Sequence, residues 1–277
     1  MEDTEKLILS CVPGSSFPAV SVTGARCEQM CEHCRAVHLR GMREACTSEA
    51  LISIAERTIA SGGSGMLISG GCDRTGRVPL LHLRDAISQI SSMGLEINIH
   101  AGFIGPSEAR ELVSAGVRRF SVDIHQDPAV IKGVLHLDRP PSDYGDLLDA
   151  VITAGGVPVP HLTAGLGGKD IAASADLLLS RGLRRAVLLG LVPSHAGSPM
   201  PGASTETVVS AVDILSGRGL EVTLGCMRDR SCRDMEAECI RHGVMRIANP
   251  SRETQEWVKA NGYSVKEDRR CCCMSSE

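Results

Sequence analysis

Short runs of β-branched and aliphatic residues alternate with longer amphipathic stretches from about residue 18 to about residue 260. The short runs are Ala19–Thr23, Met66–Ser69, Glu96–His100, Phe120–Ile124, Val157–Thr163, Arg185–Leu189, Glu221–Leu224 and Met245–Ala248. Between them, Ser48–Ala60, His82–Met93, Ser107–Ala115, Asp143–Ala154, Ile171–Arg181, Glu206–Ser216 and Cys232–His242 read as helices. Glycine or small polar residues punctuate nearly every junction. Strands that alternate with helices must run parallel, because each crossover returns the chain to the same end of the sheet. Eight such strands predict an α/β fold of the (β/α)8, TIM-like barrel type, with a partial (β/α)6 barrel as the alternative. No internal repeat or Pro/Gly/Ser-rich linker divides the chain, so one domain is expected over residues 1–265. Residues 266–277 are polar and cysteine-rich, and are expected to form a loose, flexible tail.

Composition narrows the class. The 277 residues are 43% hydrophobic, enough for a large core, and 22% charged, as expected of a soluble protein. A net charge of −4 gives no basic field for nucleic acid or anionic lipid, so neither is an expected partner. The apolar run Leu7-Ile8-Leu9 is too short for a signal peptide or a membrane span, and a cytoplasmic location is expected. Twelve cysteines change the picture. In a reducing compartment that number of thiols points to metal or redox chemistry rather than disulfides.

Three of them, Cys27, Cys31 and Cys34, follow the first strand at spacings of four and three. From one loop their thiolates can meet three corners of an iron–sulfur cube, leaving the fourth iron open for a chelating substrate. A zinc loop completed from a distance, or ordinary buried thiols, are the alternatives; a zinc ribbon normally shows two paired knuckles, and one appears here.

This C-x3-C-x2-C loop after the first strand resembles the radical S-adenosylmethionine superfamily. The resemblance implies a [4Fe–4S] cluster on Cys27, Cys31 and Cys34 that binds S-adenosylmethionine and cleaves it to a 5′-deoxyadenosyl radical. His33 stands where that family often carries an aromatic residue before the third cysteine. Ser69-Gly70-Gly71 resembles the family's glycine turn for the amino group of the cofactor, although Cys72 replaces the usual acidic residue after it. Glycines there also simply let a strand turn sharply. Asp123 ends a strand where a carboxylate can bind a ribose hydroxyl, or else cap a helix. His161 can face cofactor or substrate, or be a satisfied core histidine, and residues 193–200 can offer backbone to the cofactor or form a plain βα turn.

Within the superfamily, Phe17–Gly24, Ile68–Pro79, His161–Leu166 and Leu224–Arg228 resemble biotin synthase-related enzymes, and most closely the two-protein lipoyl synthase group. That resemblance implies sulfur insertion into an unactivated C–H bond, such as that of an octanoyl chain on a carrier protein. It further implies a ferredoxin- or flavodoxin-like electron donor, a partner radical enzyme and a second iron–sulfur cluster. Cys72 and Cys226, at strand ends, are the candidate ligands of that cluster, with Arg228 nearby. Cys11, Cys46, Cys232, Cys239 or a tail cysteine would complete it. Cys232 and Cys239, spaced with Met235 on one helix face, also read as core. Cys271-Cys272-Cys273 is expected to consist of incidental thiols on a flexible tail, since neighbouring side chains diverge, with metal delivery or capping as the alternative. Radical chemistry without sulfur donation, and a non-enzymatic iron–sulfur or zinc scaffold, are the rival readings.

Overall fold

The computed structural model describes residues 7–167, 169–192 and 200–274. Residues 193–199, most of the loop singled out above, lie outside the described residues. The strands are β1 (Leu7–Cys11), β2 (Ala19–Ser21), β3 (Arg43–Glu44), β4 (Gly65–Ser69), β5 (Glu96–Ile99), β6 (Arg119–Asp123), β7 (Val157–Ala164), β8 (Arg185–Gly190), β9 (Glu221–Leu224), β10 (Arg246–Ala248) and β11 (Ser264–Asp268). The helices are α1 (Ser48–Ala60), α2 (Arg84–Ser92), α3 (Pro106–Ser114), α4 (Pro128–Gly133), α5 (Ser142–Thr153), α6 (Asp170–Ser180), α7 (Thr205–Ser216), α8 (Met235–Arg241) and α9 (Arg252–Ala260). All eight expected strand runs are strands. Among the described residues no helix is long and apolar enough to cross a membrane.

Two compact units divide these elements. Among the described residues, the motif unit comprises Gly14–Pro160 with Met200. Its strands lie in the order β3-β2-β4-β5-β6, all parallel, with Ser21 beside Ser69, Ile68 beside Ile99, and Ile99 beside Phe120. Val20, Ile68, Ile99 and Phe120 are at most 1% exposed, and Leu51 of α1, Ile87 and Ile90 of α2 and Leu148 of α5 are as deeply buried. Each such side chain contributes about 1.5–3 kcal/mol on leaving water. The Thr47 hydroxyl accepts from the Ala50 N–H at 3.3 Å and starts α1. Parallel pairing puts the C-terminal ends of β2, β4, β5 and β6 along one edge, where their loops can build a site.

Among the described residues, the tail unit comprises Leu7–Pro13, the described part of His161–Val192, and Pro201–Met274. Its order is β7-β8-β9-β10-β1-β11, again parallel, with β7 contributing its second half, His161–Ala164. Leu162, Leu188, Leu224 and Ile247 form its core at 0% exposure. Residues 266–268, expected to be part of a loose tail, are instead in strand β11, paired with β1 from Leu7↔Ser264 to Cys11↔Asp268. The reason is physical: β11 is an edge strand with an exposed centre, held by backbone hydrogen bonds, so it lacks the apolar alternation that betrays a strand.

Candidate functional site

The cysteine loop leaves β2 at the C-terminal edge of the motif unit. The Ser21 hydroxyl donates to the Gly24 carbonyl at 2.6 Å, and the Thr23 hydroxyl donates to the Arg26 carbonyl at 2.9 Å, which turns the chain tightly. The Gly71 N–H donates to the same Thr23 oxygen at 2.7 Å, and the Glu28 N–H donates to the Cys72 carbonyl at 2.8 Å. Loop and glycine turn therefore lie back to back. A Cβ on Gly71 would stand 1.9 Å from the Arg26 carbonyl oxygen and 2.6 Å from Cys27 Cβ. Only glycine permits that approach.

Beyond Cys27 the loop is pinned to the segment after α4. Buried Gln29 donates through Nε2 to the Leu135 carbonyl at 2.7 Å, and the Glu32 N–H donates to the Val134 carbonyl at 2.9 Å. The Cys31 thiol reaches the Leu135 carbonyl at 3.6 Å. Met30, Arg35 and Ala36 have left-handed backbone, with φ of 45°, 41° and 59°. Such values are uncommon outside glycine, so tertiary contacts dictate this loop conformation.

The thiols of Cys31 and Cys34 and a ring nitrogen of His33 lie within 4.8 Å of one another. Cys34 is held well below the ordinary thiol range, first by the hydrogen bond from Cys31 and then, against burial, by His33; Cys31, the donor of that bond, is pushed up. A thiolate beside a second thiol is the donor chemistry that an iron–sulfur cluster requires, so these residues fit the implied group. Cys27 stands outside this tight trio but within electrostatic range of both Cys31 and Cys72. Burial, followed by the charges of Cys27 and Asp123, pushes the Cys72 thiol up to about 12. A cleft of about 470 Å³ opens here, with Thr23, Arg26, Cys27, Met30, Gly71 and Cys72 in its wall.

Ser69 and Asp123 close β4 and β6 on the same edge. The Ser69 hydroxyl donates to the His100 carbonyl at 3.4 Å, and His100 Nε2 pairs with Asp123 Oδ2 at 3.0 Å. Burial lowers the His100 pKa, but the Asp123 carboxylate outweighs it and the net shift is upward. His100 is a functional candidate that sequence reasoning passed over, although it ended an expected strand. Two residues back on each strand, Asn98 Nδ2 donates to Ser121 Oγ at 2.9 Å, so the two polar pairs share one face of β5 and β6.

No protein-family model matches the sequence, and no curated protein matches it. Solved structures do. Methylornithine synthase PylB aligns over 94% of this chain and 84% of its own length, with a TM-score of 0.64 and 10% identity. HydG, a maturase of the [FeFe]-hydrogenase, aligns over 94% of this chain at TM-score 0.64 and 16% identity. SuiB of Streptococcus suis, solved bound to S-adenosylmethionine, aligns over 91% at TM-score 0.62 and 13% identity. The chain has the fold of the radical S-adenosylmethionine enzymes. At these identities the likeness is one of fold, and it agrees with the TIM-like α/β barrel class expected from the strand–helix alternation. The chain spans 64% of the length of HydG and 58% of that of SuiB, less than two thirds of either.

In the tail unit of this radical S-adenosylmethionine fold, the remaining candidates separate. Cys226 follows β9 and is exposed, within electrostatic range of Cys271. Arg228, implied by resemblance to attend a second cluster, is instead 3% exposed and bound to protein. Its guanidinium donates to Glu236 Oε1 at 2.9 Å, to the Ala248 carbonyl at 2.8 Å and to the Gly225 carbonyl. It ties the ends of β9 and β10 to α8. His161 Nε2 lies 3.4 Å from the Cys273 sulfur. Cys239 is fully buried in α8 beside Met235, as a core residue, and Cys232 is half-buried. Cys46, in the motif unit, donates to Glu44 Oε1 at 3.5 Å.

Proposed function

We propose that the chain is a radical S-adenosylmethionine enzyme in which Cys27, Cys31 and Cys34 hold a [4Fe–4S] cluster. The observation that carries this reading is the convergence of the Cys31 and Cys34 thiols at the C-terminal strand edge, in a chain with this fold. S-adenosylmethionine bound to such a cluster and given one electron breaks its S–C5′ bond, giving methionine and a 5′-deoxyadenosyl radical. Ser69, Gly70 and Gly71 are assigned the amino group of the cofactor. Asp123 is assigned its ribose, with His100 orienting the carboxylate. Gly71 keeps the cysteine loop against the glycine turn, so cofactor and thiolates are positioned by one pair of loops. Reconstitution with iron and sulfide under anaerobic conditions, followed by dithionite and S-adenosylmethionine, should yield 5′-deoxyadenosine; none from a chain with its full iron complement would refute the reading.

Sulfur insertion into an unactivated C–H bond, as on a protein-bound octanoyl chain, is the finer reading we favour. Its support is the resemblance of four stretches along the chain and the thiols Cys72 and Cys226 just past strand ends. A reduced ferredoxin or flavodoxin would supply electrons, and a second radical enzyme would share the substrate. Radical chemistry without sulfur donation, such as metallocofactor maturation or rearrangement, is the second reading, favoured by the fold likeness to HydG and PylB. Product analysis separates them: sulfur appearing in the substrate fits a sulfur donor, and 5′-deoxyadenosine formed with no sulfur transferred fits the second reading.

A further inference from the structure

Outside the motif loop, one other group of metal-ligating side chains comes together among the described residues. The sulfur atoms of Cys271, Cys272 and Cys273 lie within 4.8 Å of one another. In an extended chain such neighbours would point to opposite faces. Here a 3-10 turn over Cys272–Met274, closed by the Met274 N–H donating to the Cys271 carbonyl at 2.8 Å, brings them together. The expected divergence of these thiols is thereby corrected. Cys272 and Cys273 are 7% and 6% exposed, so the turn is packed into its unit. His161, reaching from β7, places Nε2 3.4 Å from the Cys273 sulfur. Cys11, fully buried at the end of β1, is within electrostatic range of Cys271.

Packing alone does not call for this arrangement. A buried thiol behaves as a small hydrophobe, and any small apolar side chain would fill the same space. Three thiols within 4.8 Å of one another, with an imidazole against one of them, have a narrower chemistry: they are the donors preferred by zinc and iron. Metal–sulfur bonds of about 2.3 Å in a tetrahedron set ligand sulfurs about 3.8 Å apart, which lies inside the spacing present here. Cys31 and Cys34 show the same spacing in the motif unit, so each unit carries one thiol group close enough to share a metal.

We propose that Cys271, Cys272, Cys273 and His161 form a second metal centre, separate from the motif loop, that takes a thiophilic metal. Zinc and iron share the required chemistry, iron either as one ion or bridged by sulfide. Each thiol that ligates releases its proton, so loading is favoured as pH rises. The centre goes beyond the proposed function, because its donor set stands whether or not the chain transfers sulfur.

The test uses the full chain carrying Cys27→Ala, Cys31→Ala and Cys34→Ala, which removes the first centre. Titrated with Co2+ under anaerobic conditions, it should take up one equivalent and develop intense thiolate-to-cobalt charge-transfer absorption. Adding Cys271→Ser and Cys273→Ser should abolish that absorption. His161→Gln should weaken binding by more than the roughly 10–100-fold that outer-shell partners cost. Failure of the triple variant to bind cobalt, or absorption that survives the tail serines, would overturn the centre; unchanged affinity in His161→Gln would overturn its four-donor set. X-ray absorption at the zinc edge is read on the zinc-loaded chain carrying only the three motif alanines, which leaves the tail donors unaltered. It should show sulfur with one imidazole, and a shell of oxygen and nitrogen only would also overturn the proposal. Parallel loading with Zn2+ alone and with Fe2+ plus sulfide tells a single ion from a cluster.

Discussion

Cys27, Cys31 and Cys34 are spaced along a loop, whereas Cys271, Cys272 and Cys273 are consecutive on one turn. The motif loop gains its shape from partners along its length: Thr23, Gly71 and Cys72 behind it, and Val134 and Leu135 beside Cys31 and Glu32. The tail trio gains its shape from a single turn, buried in its unit with His161 against it. Of the motif thiols, Cys27 lines a cleft at a strand edge and Cys31 and Cys34 are half-buried; Cys272 and Cys273 are buried. The difference teaches that thiols serving a substrate need a built, open edge, whereas thiols serving a static metal need only convergence and burial.

The largest effect should come from Cys31→Ala. Removing that thiol should abolish 5′-deoxyadenosine formation and strip the first cluster while leaving metal at the tail centre, as metal analysis of the purified variant would show. Next, Glu236→Ala leaves the buried Arg228 guanidinium without its carboxylate and should cost about 3–5 kcal/mol in denaturant unfolding. Activity of the residual folded fraction should persist, because Arg228 acts here as a structural tie. A smaller loss, about 1–3 kcal/mol, is expected of Gly71→Ala from overpacking against Arg26. Its distinguishing feature is selective: iron content should fall at the motif loop and not at the tail, and loss at both would mean the units are not independent in this respect.

The smallest effect belongs to the half-exposed His100–Asp123 pair, worth about 0.2–1 kcal/mol. Because the His100 pKa is raised on folding, its contribution is fully present below about pH 6.5 and fades as pH rises through the folded value. Asp123→Asn should remove this pH dependence and lower the His100 pKa, followed by NMR titration of the imidazole. An unchanged titration would dissociate the two side chains in solution.

Much of this was legible in the order of residues. The eight strand runs and the cysteine loop are written locally, as apolar runs between glycine-rich turns and as a fixed spacing of thiols. Strands β1, β3 and β11 were not, because Leu7–Cys11 is a short run, Arg43–Glu44 is a pair of exposed residues, and Ser264–Asp268 is an edge with no apolar alternation. The pairing of His100 with Asp123 depends on the neighbouring registers of β5 and β6, which one sequence does not disclose. The Cys271–Cys273 convergence depends on backbone turn geometry, and Arg228 revealed its role only once Glu236 was found beside it. Legibility ended where function depends on contacts between distant segments.

Electron paramagnetic resonance of the dithionite-reduced, reconstituted chain tests the central claim most directly. A reduced [4Fe–4S] signal should shift on adding S-adenosylmethionine, in the unaltered chain and equally in the Cys271→Ser/Cys273→Ser variant, and Cys31→Ala should show no such responsive signal. A signal that responds to S-adenosylmethionine in Cys31→Ala, or one lost with the tail cysteines, would contradict the assignment of the cofactor-binding cluster to Cys27, Cys31 and Cys34.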